Sequence, residues 1–113
     1  MGNTDLTSKK CEPCEGGVPT LEPSAAQELM QALDSSWSIS ADGKWISRQF
    51  EFSGFNRTMG FVNAVAWIAN SEGHHPDLEV SYRACVVKWT THAIEGLSEN
   101  DFICAAKVDR LVL

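Results

Sequence analysis

Two segments whose mostly apolar faces repeat at every second position, separated by one long helical segment, constrain the fold of this chain most. The first segment has a face made of Ile46, Arg48, Phe50 and Phe52, and the second has a face made of Leu78, Val80 and Tyr82. A period of two residues is typical of strands that bury one side. A second run of residues that favour strands lies next to each segment in the sequence, so each pair predicts a hairpin.

Three segments with a helical period surround and separate these hairpins. The first carries Ala26, Leu29, Met30 and Leu33 on one face, the second runs from Phe55 to Ala69, and the third follows Ser98. Gly73 and Pro76 predict the end of the second helix, and the S-x-x-D sequence from Ser98 to Asp101 fits a capping box. The order helix, hairpin, helix, hairpin, helix predicts an α+β fold, with a four-stranded antiparallel sheet and three helices packed on one face.

Turn residues mark both hairpins. Asp42-Gly43 predicts a two-residue type I′ turn in the first hairpin, because that turn needs positive φ at both central positions. The turn of the second hairpin is expected near Arg83-Ala84.

The N-terminal segment lacks an apolar period. Residues 1–20 contain Pro13, Pro19 and the pair Gly16-Gly17 among scattered charges, and we expect them to form a flexible or loosely docked arm. Residues 21–113 are then one domain, which suits the total length of 113 residues. A single four-stranded sheet leaves two edges open to pairing, so we expect a homodimer or homotetramer.

Charge and hydropathy exclude several classes of function. Nine Lys and Arg residues against 15 Asp and Glu residues give a net charge of −6, which argues against a nucleic-acid binder. No apolar run reaches the ~18–20 residues of a membrane span. The polar N-terminus does not resemble a signal peptide, so a cytoplasmic location is expected.

The four cysteines predict no metal centre. Cys11 and Cys14 form a single C-x-x-C pair without the second pair that a zinc ribbon needs. A polar N-terminal extension is therefore favoured over a metal or redox role. Cys85 and Cys104 lie among apolar residues and are expected to be buried.

Histidine is the first candidate for chemistry. The chain has His74 and His75 at a helix-to-strand junction and His92 as the end of the fourth strand, and it has no G-x-S-x-G, Walker A or G-x-G-x-x-G motif. Imidazole can donate and accept protons near neutral pH, so the pattern favours an acid–base site. A tri-histidine zinc site is disfavoured, because adjacent histidines rarely point at one metal ion.

A resemblance to a known family covers about residues 21 to 113. The residues that carry it are Phe50-Glu51-Phe52, Phe55-Asn56-Arg57, Glu72 to Asp77, Tyr82, Thr91-His92 and Gly96 to Phe102. Together they resemble the pterin-4a-carbinolamine dehydratases, whose active-site pattern is matched at His74, His75, Pro76, Tyr82, His92 and Asp101.

The resemblance implies an activity and roles for these residues. Family members dehydrate 4a-hydroxytetrahydropterin to quinonoid dihydropterin, without a cofactor or metal, and recycle the cofactor of aromatic amino-acid hydroxylases. By resemblance, His74 and His92 transfer protons and His75 holds the pterin. The expected substrate contacts are Pro76, Tyr82, Thr91 and Asp101, although Tyr82 could equally pack in the core and Asp101 could cap the last helix or orient a histidine.

One position departs from the family pattern. Asn70 stands where the pattern has an acidic, basic or histidine residue, and Glu72 lies two residues further along the helix end. This difference keeps open a second interpretation, a pterin-binding or assembly accessory on the same fold. A small metalloprotein that uses the histidines or the Cys11/Cys14 pair is a third.

Overall fold

A computed structural model describes residues 5–13 and 18–112, and it confirms the predicted order of helices and strands. The main elements are α1 (Pro23–Met30), β1 (Ser38–Ile39), β2 (Ile46–Glu51), α2 (Phe55–Glu72), β3 (Asp77–Val80), β4 (Ala84–Trp89) and α3 (Glu99–Asp109). Single 3₁₀ turns occur at Leu6–Ser8, His92–Ile94 and Arg110–Val112. No helix in the described part of the chain is long and apolar enough to span a membrane.

The four strands form one antiparallel sheet, as the sequence predicts, and the structure gives their order in the sheet as β1-β2-β4-β3. The central pair runs from Ile46 opposite Trp89 to Glu51 opposite Ala84. Asp77, the first residue of β3, lies opposite Lys88 near the end of β4. The starts of β2 and β3 and the end of β4 therefore meet at one end of the sheet, which is called the histidine end below.

The core lies between one face of the sheet and the helices. On β4, Cys85, Val87 and Trp89 are buried while the residues between them are only half-buried. Helices α2 and α3 supply the other half of the core, including Phe61, Val65, Ile68, Phe102, Ile103 and Val108. The helical patterns and the period-two pattern of β2 therefore face the same interior. In the second hairpin, Leu78 packs against this core, whereas Val80 and Tyr82 on the same predicted face are exposed.

The first hairpin turns differently from the prediction. β1 has only two residues, and Gly43 has a φ of 74° while Asp42 does not lie in the left-handed region. The predicted type I′ turn is therefore wrong. Side chains hold a longer loop instead: the N–H of Lys44 donates to Ser40 Oγ and to the Asp42 carboxylate, so the loop does not need the two-residue turn.

The helix ends agree with the sequence. Gly73 adopts the left-handed conformation after α2, with a φ of 68°. At the start of α3, the backbone N–H of Ser98 donates to Asp101 Oδ2 at 2.9 Å, which is the reciprocal bond of a capping box. These two ends carry most of the candidate site.

Residues 5–13 contact the domain closely. Leu6 is 2% exposed and belongs to the core, and Lys9 forms an ion pair with Glu99 on α3. The backbone of Glu12 and the side-chain amide of Asn100 exchange two hydrogen bonds. The domain boundary near residue 20 and the flexibility of the arm stay predictions, and Cys14, Gly16 and Gly17 lie outside the described residues.

Candidate active site

His74 is buried where α2 turns into β3. The left-handed Gly73 ends the helix, and the His74 backbone N–H still donates to the carbonyl of Ala69. This turn places the imidazole parallel to the Trp89 indole, with ring centroids 5.5 Å apart and planes 11° apart. Only 5% of His74 is exposed, so its orientation is fixed by packing.

Asp101 links His74 to the start of α3. Its Oδ1 lies 2.6 Å from His74 Nε2, while Oδ2 accepts the Ser98 N–H at 2.9 Å and the Thr91 hydroxyl at 2.8 Å. The carboxylate is fully buried, and these donors replace the water that it loses. The two roles considered for Asp101, capping and orienting a histidine, are therefore performed by different oxygens of one side chain.

A short chain of hydroxyl groups supports Asp101. Thr91 Oγ1 and Ser98 Oγ are 2.8 Å apart, and both residues are fully buried. Because Thr91 gives its one hydroxyl hydrogen to Asp101, Ser98 is the donor in this contact. Thr91 therefore reaches the site through Asp101.

His92 lies at the same end of the sheet, but it is exposed. It does not end the fourth strand, as the sequence predicted, but begins the 3₁₀ turn that follows β4. Its ring is nearly perpendicular to the Trp45 indole, with centroids 5.7 Å apart. The Lys88 ammonium lies 5.8 Å from the centre of the Trp45 ring. Sequence reasoning missed Trp45, whose place beside β4 follows only from the register of Ile46 opposite Trp89.

His75 and Pro76 complete the histidine end. His75 is exposed, Pro76 is half-buried, and both precede the start of β3. Chain connectivity and the contacts of Asp101 therefore bring six of the predicted site residues to this end, namely His74, His75, Pro76, Thr91, His92 and Asp101. They combine one buried, oriented imidazole with two exposed ones.

Tyr82 lies elsewhere in the fold. It belongs to the turn between β3 and β4, at the opposite end of this hairpin from the histidines, and it is 64% exposed. Its ring contacts Phe55 at a centroid distance of 6.0 Å. A single chain does not bring Tyr82 to the histidine end, and its exposure also argues against packing in the core.

Asn70 and Glu72 face different surroundings. Asn70 is exposed on α2, whereas the Glu72 side chain is 6% exposed and accepts the Cys11 N–H at 2.9 Å and the Lys107 ammonium at 3.0 Å. Burial favours a raised pKa for Glu72, but these donors and the positive charge of Lys107 outweigh burial and lower the pKa. Glu72 therefore holds the N-terminal segment and α3 together.

Within the described residues, no group of three or more His, Cys, Asp or Glu side chains is placed to hold a metal ion. His74 directs Nε2 at a carboxylate that already accepts two other hydrogen bonds. The arrangement suits proton transfer and the orientation of an imidazole.

Comparisons with known proteins agree on one family. A family profile described as Pterin 4 alpha carbinolamine dehydratase matches residues 19–111. A Nitrosomonas eutropha protein is 56% identical over 96% of this chain and 95% of its own length. A Legionella pneumophila protein is 51% identical over 97% of both chains. Both carry the name "Putative pterin-4-alpha-carbinolamine dehydratase".

Two solved structures share the fold. A transcriptional coactivator/pterin dehydratase from Brucella melitensis superposes with a TM-score of 0.79 at 29% identity, covering 84% of this chain and all of that one. A pterin dehydratase-like protein described as a RuBisCO assembly factor in the alpha-carboxysome gives a TM-score of 0.59 at 22% identity, covering 67% of this chain and 88% of its own. The second similarity shows the fold alone.

Proposed function

The chain belongs to the pterin 4 alpha carbinolamine dehydratase family, and from this premise we propose that it is a hydro-lyase that converts 4a-hydroxytetrahydropterin to quinonoid dihydropterin. The observation that carries the proposal is the 2.6 Å contact between His74 Nε2 and Asp101 Oδ1, beside the exposed His75 and His92. In this role the protein recycles the cofactor of an aromatic amino-acid hydroxylase.

The reaction needs two proton transfers. The hydroxyl on C4a leaves as water after it gains a proton, and N5 gives up its proton as the C4a–N5 double bond forms. Protons are conserved, so one acid and one base suffice. Histidine can serve as either at neutral pH.

His74 is the proposed base. Asp101 holds the imidazole through the contact between its Oδ1 and His74 Nε2. The carboxylate stabilises the imidazolium that forms when the ring accepts a proton. Because only a small part of His74 is exposed, the pterin has to approach the ring closely.

His92 is the proposed acid, and His75 the proposed binding group. His92 is exposed beside the Trp45 ring, so it can meet a hydroxyl on a bound substrate. His75 is held by the following Pro76 in an extended backbone and contacts the pterin in this proposal, with Pro76 at the edge of the site. Thr91 acts indirectly, through its hydrogen bond to Asp101.

Steady-state kinetics on purified variants test the proposal. His92→Ala should lower kcat by the ~10²–10⁴-fold typical of an acid–base group, and Lys44→Ala, in the loop before β2, is a matched surface control. A His92→Ala enzyme with the kcat of the unchanged protein would show that His92 is not the acid.

Asn70 supports a second candidate function, a pterin-binding or assembly accessory on the same fold. An amide at this position cannot act as an acid or base, and Asn70 is exposed on α2. Pterin binding without any acceleration of dehydration would favour this candidate. If Asn70→Glu then restores dehydration, the amide at this position explains why the unchanged protein lacks the activity.

A further inference from the structure

Two thiols from distant parts of the chain lie next to each other. Cys11 Sγ, in the N-terminal segment, is 3.5 Å from Cys104 Sγ on α3, and 93 positions separate the two residues. Cys104 is fully buried, whereas Cys11 is half-buried. We propose that Cys11 and Cys104 are a reversible disulfide site that fastens the N-terminal segment to α3.

The surrounding contacts hold the segment in the position that the bond requires. The Cys11 N–H donates to Glu72 Oε1 at 2.9 Å. The next residue, Glu12, exchanges hydrogen bonds of 3.0 and 2.8 Å with the Asn100 side chain. Asn100 lies one helical turn before Cys104, so the backbone on both sides of the thiol pair is anchored. The sulfur atoms need to approach by only about 1.5 Å to reach bonding distance.

The two thiols differ in accessibility. The hydrogen bond with Cys11, together with burial, raises the pKa of the Cys104 thiol above its usual range. Cys11 is half-buried whereas Cys104 is fully buried, so Cys11 is the thiol that meets an oxidant first.

The chemistry balances with a peroxide as oxidant. The Cys11 thiolate attacks hydrogen peroxide, the O–O bond breaks, and Cys11 sulfenic acid forms with release of one water after protonation. The Cys104 sulfur then attacks the Cys11 sulfur, the S–O bond breaks, and the oxygen leaves with the Cys104 proton as a second water. Two thiols are oxidised, one peroxide is reduced, and a small dithiol such as dithiothreitol reverses the bond by exchange.

The bond should stabilise the folded chain. It closes a loop between two cysteines that are 93 positions apart, and such long loops lose much conformational freedom in the unfolded state. We expect oxidation to raise Tm by about 5 °C or more.

Peptide mapping by mass spectrometry tests the proposal on the full chain. The protein is treated with hydrogen peroxide, denatured, alkylated and digested without reduction. The expected result is one cross-linked peptide pair containing Cys11 and Cys104, which disappears with dithiothreitol. Cys14→Ser should retain the cross-link and the rise in Tm, because Cys14 takes no part in it. Cys11→Ser should lose both.

Three outcomes would overturn the proposal. They are a Cys11–Cys14 cross-link, oxidation of Cys11 to sulfinic acid while Cys104 stays reduced, and a cross-link that survives Cys11→Ser. Should Cys11→Ser fail to fold, the peptide map of the unchanged chain and of Cys14→Ser decides the question.

Discussion

His74 Nε2 and Asp101 Oδ1 are 2.6 Å apart, although 27 positions separate the two residues. The contact joins the end of α2 to the start of α3 beneath the end of β4. Both side chains are buried, so neither can replace its hydrogen-bond partner by water unless it moves. The orientation of the one buried imidazole therefore depends on the cap of a helix.

Asp101→Asn tests this dependence. The amide keeps the size of the side chain but not its charge, so it cannot stabilise a His74 imidazolium. We expect kcat to fall by ~10- to 100-fold, less than for loss of an acid–base group itself, with KM little changed. Weakening of the α3 cap should lower the unfolding free energy by about 1 kcal/mol. Glu99→Gln, in the same helical turn and paired with Lys9, is the control, and an unchanged kcat in Asp101→Asn would refute the positioning role.

His75 and His92 should differ in which kinetic constant they affect. Both are exposed, so alanine at either position should leave the fold intact. His92→Ala should mainly lower kcat, because it removes a proton donor, whereas His75→Ala should mainly raise KM, because it removes a contact made in both ground and transition states. Steady-state kinetics on the two variants measure this, and the opposite pattern would reverse the assignment.

Glu72 should make stability depend on pH in the acid range. Its pKa is lowered in the folded chain, below the ordinary value of 4.5. The contribution of Glu72 to the free energy of unfolding is therefore complete above about pH 4.5. It is lost as the pH falls through the lower pKa that Glu72 has in the folded chain. Urea unfolding should show Glu72→Gln to be about 1–2 kcal/mol less stable at pH 7, with the difference shrinking towards pH 3.

Glu79→Gln serves as the control for this measurement. Glu79 is 63% exposed and pairs with Lys88, and such surface pairs contribute little. A constant difference between Glu72→Gln and the unchanged protein across the whole pH range would contradict the role given to Glu72.

Tyr82 should matter little for pterin binding by one chain. Seven positions of mostly extended backbone separate it from His75, or roughly 20 Å at the rise of a strand. Tyr82→Ala should therefore change KM by less than about twofold, as measured by steady-state kinetics. A large rise in KM would mean that a second chain brings its tyrosine to the site, and sedimentation of the same samples would show whether the homodimer or homotetramer expected from the sequence forms.

Local patterns in the sequence predicted most of the fold. The alternation along residues 46–52, the left-handed Gly73 and the capping box at Ser98 are determined by nearby residues, so they could be read without tertiary information. The type I′ turn at Asp42-Gly43 failed because the side chains of Ser40 and Asp42 satisfy the loop in a way that the dipeptide alone does not reveal.

The contacts that could not be predicted from the sequence depend on the strand register and on how the N-terminal segment packs on α3. The place of Trp45 beside His92 follows from the pairing of β2 with β4. The approach of Cys11 to Cys104 depends on how the N-terminal segment lies on α3. Neither distance leaves a periodic signal in the chain, because both join residues far apart in sequence.

The most direct test of the proposed function is the dehydration of 4a-hydroxytetrahydropterin by the purified full chain, followed by absorbance with and without EDTA. We predict a clear acceleration over the spontaneous reaction, unchanged by EDTA and reduced by ~10²-fold or more in His92→Ala. A rate equal to that of buffer, from protein that still binds pterin, would contradict the dehydratase and favour the accessory. Loss of activity in EDTA with recovery on adding zinc would contradict acid–base catalysis by the histidines alone.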